Sequence, residues 1–112
     1  MTKGYHEGRV DLATMARVLA ENPARYFGVG HRKGRIAPGY DADLVVIDAE
    51  KEVKLGLARM RGGSDYSIWE GTPVKGLPVM TFARGELVAA DGEIVAPVAR
   101  GRYLPPEAAA AR

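Results

Sequence analysis

Apolar residues near the start of the chain recur at helical spacing. Leu12, Met15, Ala16, Val18 and Leu19 fall on one face, and Asp11 stands where an N-cap belongs. Asn22 reads as a second N-cap, with Pro23 at the first helical position, where its missing N–H costs nothing. Ala24 to Phe27 make a short helical turn that Gly28 closes in the left-handed conformation. This helical unit spans residues 1–29, and its apolar face requires a partner surface. The pattern then changes. Pro38-Gly39 signals a turn, and Leu44-Val45-Val46-Ile47 is a continuous apolar run, which predicts a strand covered on both faces. Val53-Lys54-Leu55 predicts a further short strand. Later, Val79 to Arg84, Leu87-Val88-Ala89 and Glu93-Ile94-Val95 alternate with Gly85-Glu86 and Asp91-Gly92. That spacing predicts a three-strand antiparallel meander with two-residue turns. The β unit spans residues 30–104. Pro105-Pro106 opens a tail, 105–112, whose alanine run is too short to hold a helix alone.

Composition narrows the picture. The chain has 112 residues, too few for a barrel enzyme of about 250. Hydrophobic residues at 46% and charged ones at 27% exclude the composition of a disordered chain. The net charge is only +2, with Lys and Arg scattered, so no nucleic-acid partner is expected. The Leu44–Ile47 run is far too short to span a membrane, and no secretion signal opens the sequence. Cysteine is absent, which removes disulfides and thiolate metal sites and accords with a cytoplasmic location.

Candidate chemistry is sparse. His6 and His31 are the only histidines, and no His-X-His or His-Glu-X-X-His pattern exists, whereas a zinc site needs three or four converging ligands. Both histidines are expected at the surface. Asp41 and Asp43 share one strand face and superficially suggest a metal pair, yet Asp before a buried run more often bonds backbone N–H groups. Ser64 and Ser67 flank Asp65 with no histidine nearby and no Gly-X-Ser-X-Gly elbow. Gly62-Gly63 lacks the rest of a phosphate loop. The basic run His31-Arg32-Lys33-Gly34-Arg35 reads as a solvated crossing rather than a phosphate site. Residue by residue, the catalytic, metal-binding and substrate-binding assignments are all empty.

Several segments in order carry a resemblance over residues 4–104. Gly8-Arg9, Asn22-Pro23-Ala24 and Lys33-Gly34 resemble the end of the barrel in cyclic amidohydrolases of the amidohydrolase superfamily. Gly39-Tyr40-Asp41-Ala42-Asp43-Leu44-Val45 resembles the entry into their small β-sandwich. Ser64-Asp65-Tyr66-Ser67-Ile68-Trp69-Glu70-Gly71 looks like the matching segment of dihydropyrimidinases and hydantoinases, more than that of dihydroorotases or allantoinases. Pro78-Val79, Thr81, Arg84-Gly85, Val88 and Gly101-Arg102-Tyr103-Leu104 continue the pattern.

The resemblance implies a mixed α and β fold: the terminal helices of a (β/α)8 barrel, then the C-terminal part of a β-sandwich, with mainly antiparallel strands. It implies a hydrolase of C–N bonds in cyclic amides that uses two divalent metals, usually zinc. The family's ligands, four histidines, a carboxylated lysine and an aspartate, match no position here; Lys33 falls in a loop beyond the barrel. Tyr66, Ile68 and Trp69 are expected as packing anchors between sandwich and barrel rather than as substrate contacts. The expected partners are the missing barrel portion or an intact amidohydrolase subunit, in a complete enzyme that is a homo-oligomer. The expectation is therefore a C-terminal fragment of a hydantoinase-like enzyme, inactive alone. The alternative is a non-catalytic β module for binding or assembly. Left by itself, the chain is expected to self-associate through its unpaired sheet edge and bare helix face.

Overall fold

The computed structural model describes residues 1–59, 63–96 and 101–107. Two helical segments, α1 (Leu12–Ala16) and α2 (Asn22–Tyr26), precede a four-stranded antiparallel sheet. Asp11 caps α1 as expected, its carboxylate accepting from the Thr14 N–H at 2.6 Å. The predicted break at Asn22 is absent. Glu21 and Asn22 both keep right-handed helical angles, and a π turn, Arg17–Glu21, joins α1 to α2. Asn22 donates its N–H to Arg17 O, five residues back. Pro23 explains the widening. A proline inside a helix lacks an N–H and crowds the carbonyl one turn earlier, and a local π turn relieves that crowding without ending the helix. Gly28, at φ 72°, closes α2 as predicted. Val29 N–H reaches Ala24 O at 2.8 Å and Gly28 N–H reaches Arg25 O at 3.2 Å, which together form a Schellman stop.

Pro38 and Gly39 form the expected turn, with Tyr40 N–H donating to Ala37 O at 3.1 Å and Gly39 at φ 89°. The sheet is a simple meander of β1 (Leu44–Lys54), β2 (Pro73–Ala83), β3 (Glu86–Ala90) and β4 (Glu93–Ile94). The β2–β3–β4 part matches the sequence reading, with one change. The first hairpin turn is Arg84-Gly85, not Gly85-Glu86; both residues have positive φ, and so do Asp91 and Gly92 in the second. That is the I′ requirement of a tight hairpin. Val53 and Lys54 do not start a new strand but continue β1 beyond a bulge at Ala49–Lys51. Side chains hold the bulge. Asp48 Oδ1 accepts from the N–H groups of Glu50 and Lys51, and the His6 ring donates to Ala49 O at 2.8 Å. Thr2 Oγ1 meanwhile bonds both the N–H and C=O of Lys75.

Packing within the chain is thin. Ala24, at 7% exposure, is the sole buried hydrophobic residue among those described. Total accessible surface is 8754 Å², against roughly 6,000 Å² for a compact domain of this size. The radius of gyration is 16.3 Å, against about 13 Å for such a domain. The expected two-sided cover of Leu44–Ile47 is not found: Val45, Val46 and Ile47 are all exposed. β1 is an edge strand, and among the described residues no second layer buries its Val45–Ile47 stretch. The helix face is equally bare, with Leu19 71% and Tyr26 85% exposed.

Two outcomes are expected. In sedimentation, the isolated chain associates; a monomer with a sharp cooperative thermal transition would contradict this reading. Gly34 abuts the helix, where a β-carbon would lie 2.7 Å from Ala24 Cβ and 2.8 Å from Ala20 O, and its φ is 87°. Gly34→Ala should therefore cost on the order of 3 kcal/mol, from left-handed strain plus overpacking. Gly39→Ala, facing open space at φ 89°, should cost about 1 kcal/mol. Urea titration of both variants by circular dichroism measures the difference.

Candidate functional site

The densest polar grouping lies where the helical unit meets the sheet. The turn at the end of α2 brings Arg32 and Lys33 beside the segment that enters β1. Asp41 N–H donates to Arg32 O at 2.9 Å, which fixes the two strands of this crossing against each other. Asp41 then receives Arg32 Nη2 at 2.7 Å and Lys33 Nζ at 2.8 Å. Lys33 also bridges to Asp43. Asp43 Oδ1 accepts the Arg84 N–H at 2.7 Å, and Gly85 N–H reaches Ala42 O at 2.9 Å. The positive φ of Arg84 turns that N–H toward β1. One lysine and two aspartates thus tie the crossing to the first hairpin. Beside them, Arg35 pairs with Glu21 at the end of the π turn.

The expectation for the aspartates was backbone bonding. Asp43 fulfils it; Asp41 instead spends its carboxylate on two cations, because Arg32 and Lys33 project to the same side of the crossing. Lys33 holds the Asp41 carboxyl below its ordinary value, with Arg32 adding to the effect. Lys33 likewise lowers Asp43, with burial opposing and the Arg84 N–H assisting. For Lys33, burial disfavours the charge, but its bonds to Asp41 and Asp43 outweigh it and raise the pKa. A general base for neutral pH needs the opposite shift. The cluster is an electrostatic tie, not an acid–base pair.

The remaining candidates stay apart. His6 is half-buried rather than at the surface, because it fills the β1 bulge. His31 is exposed, with Nδ1 3.7 Å from Glu107 Oε2. Ser64 Oγ donates to Tyr66 O and Ser67 Oγ accepts from Trp69 N–H, both local turn bonds. Gly62 lies outside the described residues. Among those described, no three His, Asp or Glu side chains converge as metal ligands, so they do not form a two-metal centre. Tyr66, Ile68 and Trp69 are exposed at 71%, 80% and 55%. They sit in a loop whose neck is closed by Gly71 N–H to Leu55 O and by Leu57 N–H to Glu70 Oε2. Sequence reasoning missed the roles of Glu70, Glu21 and Arg84, since each acts on a partner distant along the chain.

Acid titration tests the tie. Both aspartates are depressed in the folded state, so their contribution is complete above the unfolded value of about 3.9 and is lost as pH falls through the folded values. Asp43→Asn keeps an acceptor for Arg84 but removes the charge. Urea midpoints should show the variant losing less stability than the parent between pH 5 and acid. Parallel curves would remove the charge argument.

Comparison with known proteins follows the same lines. Residues 1–88 match the model of the Amidohydrolase family. The chain is 36% identical over 104 residues to an L-hydantoinase of Paenarthrobacter aurescens, covering 93% of this chain and 23% of that enzyme. It is 44% identical over 101 residues to a dihydroorotase of Methanothermobacter thermautotrophicus, covering 90% of this chain and 23% of the relative. A solved D-hydantoinase superposes with a TM-score of 0.85 at 37% identity, over 91% of this chain and 22% of that one. The chain therefore spans under a quarter of the length of these relatives. Identity alone does not separate hydantoinases from dihydroorotases, but the matched residues fix the wider relationship: the chain belongs to the amidohydrolase family.

Proposed function

We propose that the chain is the C-terminal portion of a metal-dependent cyclic amidohydrolase that opens the ring C–N bond of hydantoins or dihydropyrimidines. The carrying observation is the D-hydantoinase superposition, which takes in 91% of this chain but 22% of that one. The segment Ser64–Gly71 favours this subgroup, although a dihydroorotase shares 44% identity. In this reading residues 1–29 close a (β/α)8 barrel, 30–104 supply part of a β-sandwich and 105–112 form a tail.

The chemistry asks for a Lewis acid, here taken as a zinc pair, to polarise the amide and deliver hydroxide at neutral pH. This chain's described residues do not hold that pair, and no step is assigned to them. Their part is mechanical. The Lys33 tie fixes the angle between the closing helix and the sheet, while Tyr66, Ile68 and Trp69 anchor the sheet against the barrel. The bare apolar surfaces support this role, because fully covering one large side chain is worth about 1.5–3 kcal/mol. The complete enzyme is taken as a soluble homo-oligomer; no described helix is long and apolar enough to cross a membrane.

Sequencing the DNA upstream of the Met1 codon tests the reading, followed by co-expression of any barrel-coding frame found there. The expected result is a frame with a His-X-His pair, no hydantoin or dihydrouracil opening by the 112-residue chain alone, and opening by the two parts together. No such frame would favour the assembly-module alternative. Ring opening with stoichiometric zinc in the isolated chain would overturn both.

A further inference from the structure

The turn between β3 and β4 carries a reactive dipeptide. Asp91-Gly92 is the one Asp-Gly pair in the sequence, and Asn-Gly does not occur. Both residues have positive φ, 49° and 87°, and both are exposed. Glycine has no β-carbon to shield its N–H, so the Gly92 nitrogen can approach the neighbouring carboxyl whenever the turn opens. Ring closure there needs a protonated carboxyl, because a carboxylate is a poor electrophile and cannot release its oxygen as water.

Lys51 works against that reaction. Its ammonium lies 2.6 Å from Asp91 Oδ1, 40 positions away along the chain. Backbone bonds set up the bridge from both sides. Asp48 Oδ1 accepts the Lys51 N–H at 3.1 Å, which fixes the lysine in the β1 bulge. Asp91 N–H donates to Val79 O at 2.8 Å, which fixes the turn against β2. Lysine and turn therefore meet across β2, the strand between them. Lys51 holds the Asp91 carboxyl below its ordinary value, with desolvation opposing and Arg59 adding to the pull. The carboxyl thus stays ionised and engaged with β1.

We propose that Asp91-Gly92 is a spontaneous isomerisation site that the Lys51 bridge holds in check. When the turn opens locally, the Gly92 amide nitrogen attacks Asp91 Cγ. The N–H proton and the carboxyl hydroxyl leave as one water, and a five-membered succinimide forms. Water then adds to either ring carbonyl. Opening at Cγ restores aspartate, whereas opening at the α carbonyl gives isoaspartate, whose main chain runs through Cβ and Cγ. One water is lost and one regained. The product adds a methylene to a two-residue turn, which breaks the Ala90–Glu93 register on which β4 depends. Its free carboxyl now sits directly on Cα, one carbon short of its former reach to Lys51. The site stands independently of the hydrolase reading, since it uses only residues of this chain.

Ageing the full chain in heavy-oxygen water tests this, since each reopened ring gains one labelled oxygen. The chain is held at physiological temperature and about pH 6, above the ordinary aspartate range, then returned to ordinary water and digested with trypsin. Peptide 85–100 carries Asp91 as its sole aspartate, and chromatography separates its isoaspartyl form from the parent peptide. Label should enter this peptide faster than any other that contains aspartate. Lys51→Gln should raise the rate about two- to fivefold, the scale of one exposed bridge, and Lys51→Arg should keep the parental rate. Lys75→Gln removes a comparable bridge, to Glu50, without touching Asp91, and should leave the rate unchanged. The proposal is overturned if Lys51→Gln is no faster than the parent, if Lys75→Gln accelerates the reaction as much, or if label enters the other aspartates equally.

Discussion

Beyond the bonds of Thr2 to Lys75 and of His6 to Ala49 O, the placement of the helical unit against the sheet depends on the crossing between them, and there chiefly on Lys33. Among the described residues, its ammonium group alone reaches both Asp41 and Asp43. Through Asp43 it is coupled to the first hairpin turn, and through the backbone of Arg32 to the end of α2. Individually such pairs are weak at a surface. This cluster differs in that the Asp43 carboxylate also accepts the Arg84 N–H and the Asp41 backbone is tied to Arg32 O, which lowers the entropy lost when the ions meet. Gly34 adds the steric half of the joint, letting the crossing lie directly on Ala20 and Ala24.

Local signals in the sequence were read well. The Asp11 cap, the Gly28 stop, the Pro38-Gly39 turn and the three-strand meander each depend on a few adjacent residues whose backbone preferences agree. The errors came where one local rule met another. Pro23 after Asn22 carries the signature of a helix start, yet the helix runs through it because a π turn absorbs the missing donor. The Leu44–Ile47 run carries the signature of a strand buried on both faces, and its exposure shows that hydrophobic pattern reports what a segment needs rather than what the chain provides. Arg84 in a left-handed turn had no local signal, as the glycine beside it satisfied the pattern.

The candidate site was less legible than the fold for a different reason. Asp41, Asp43 and the basic run were visible as charges, but their pairing is set by the crossing geometry. His6 looked like a surface residue because nothing near it in sequence marks a bulge some forty positions later that lacks a donor. Non-local polar partners of this kind leave no trace in composition or periodicity.

The meander order has a consequence for the growing chain. β2, β3 and β4 are joined by two tight turns and can pair as soon as they emerge, since their contacts are local. β1 must wait for β2, across the whole connection 55–72. The partner of Ile47 is Pro78, 31 positions later, so at ribosomal speeds of about 5–20 residues per second the apolar run stays without a strand partner for at least about 1.5–6 seconds. Asp43, Asp48, Glu50 and Glu52 outnumber Lys51 and Lys54 in that stretch, so neighbouring nascent copies carry net negative charge and repel one another during the interval when the strand is most adhesive.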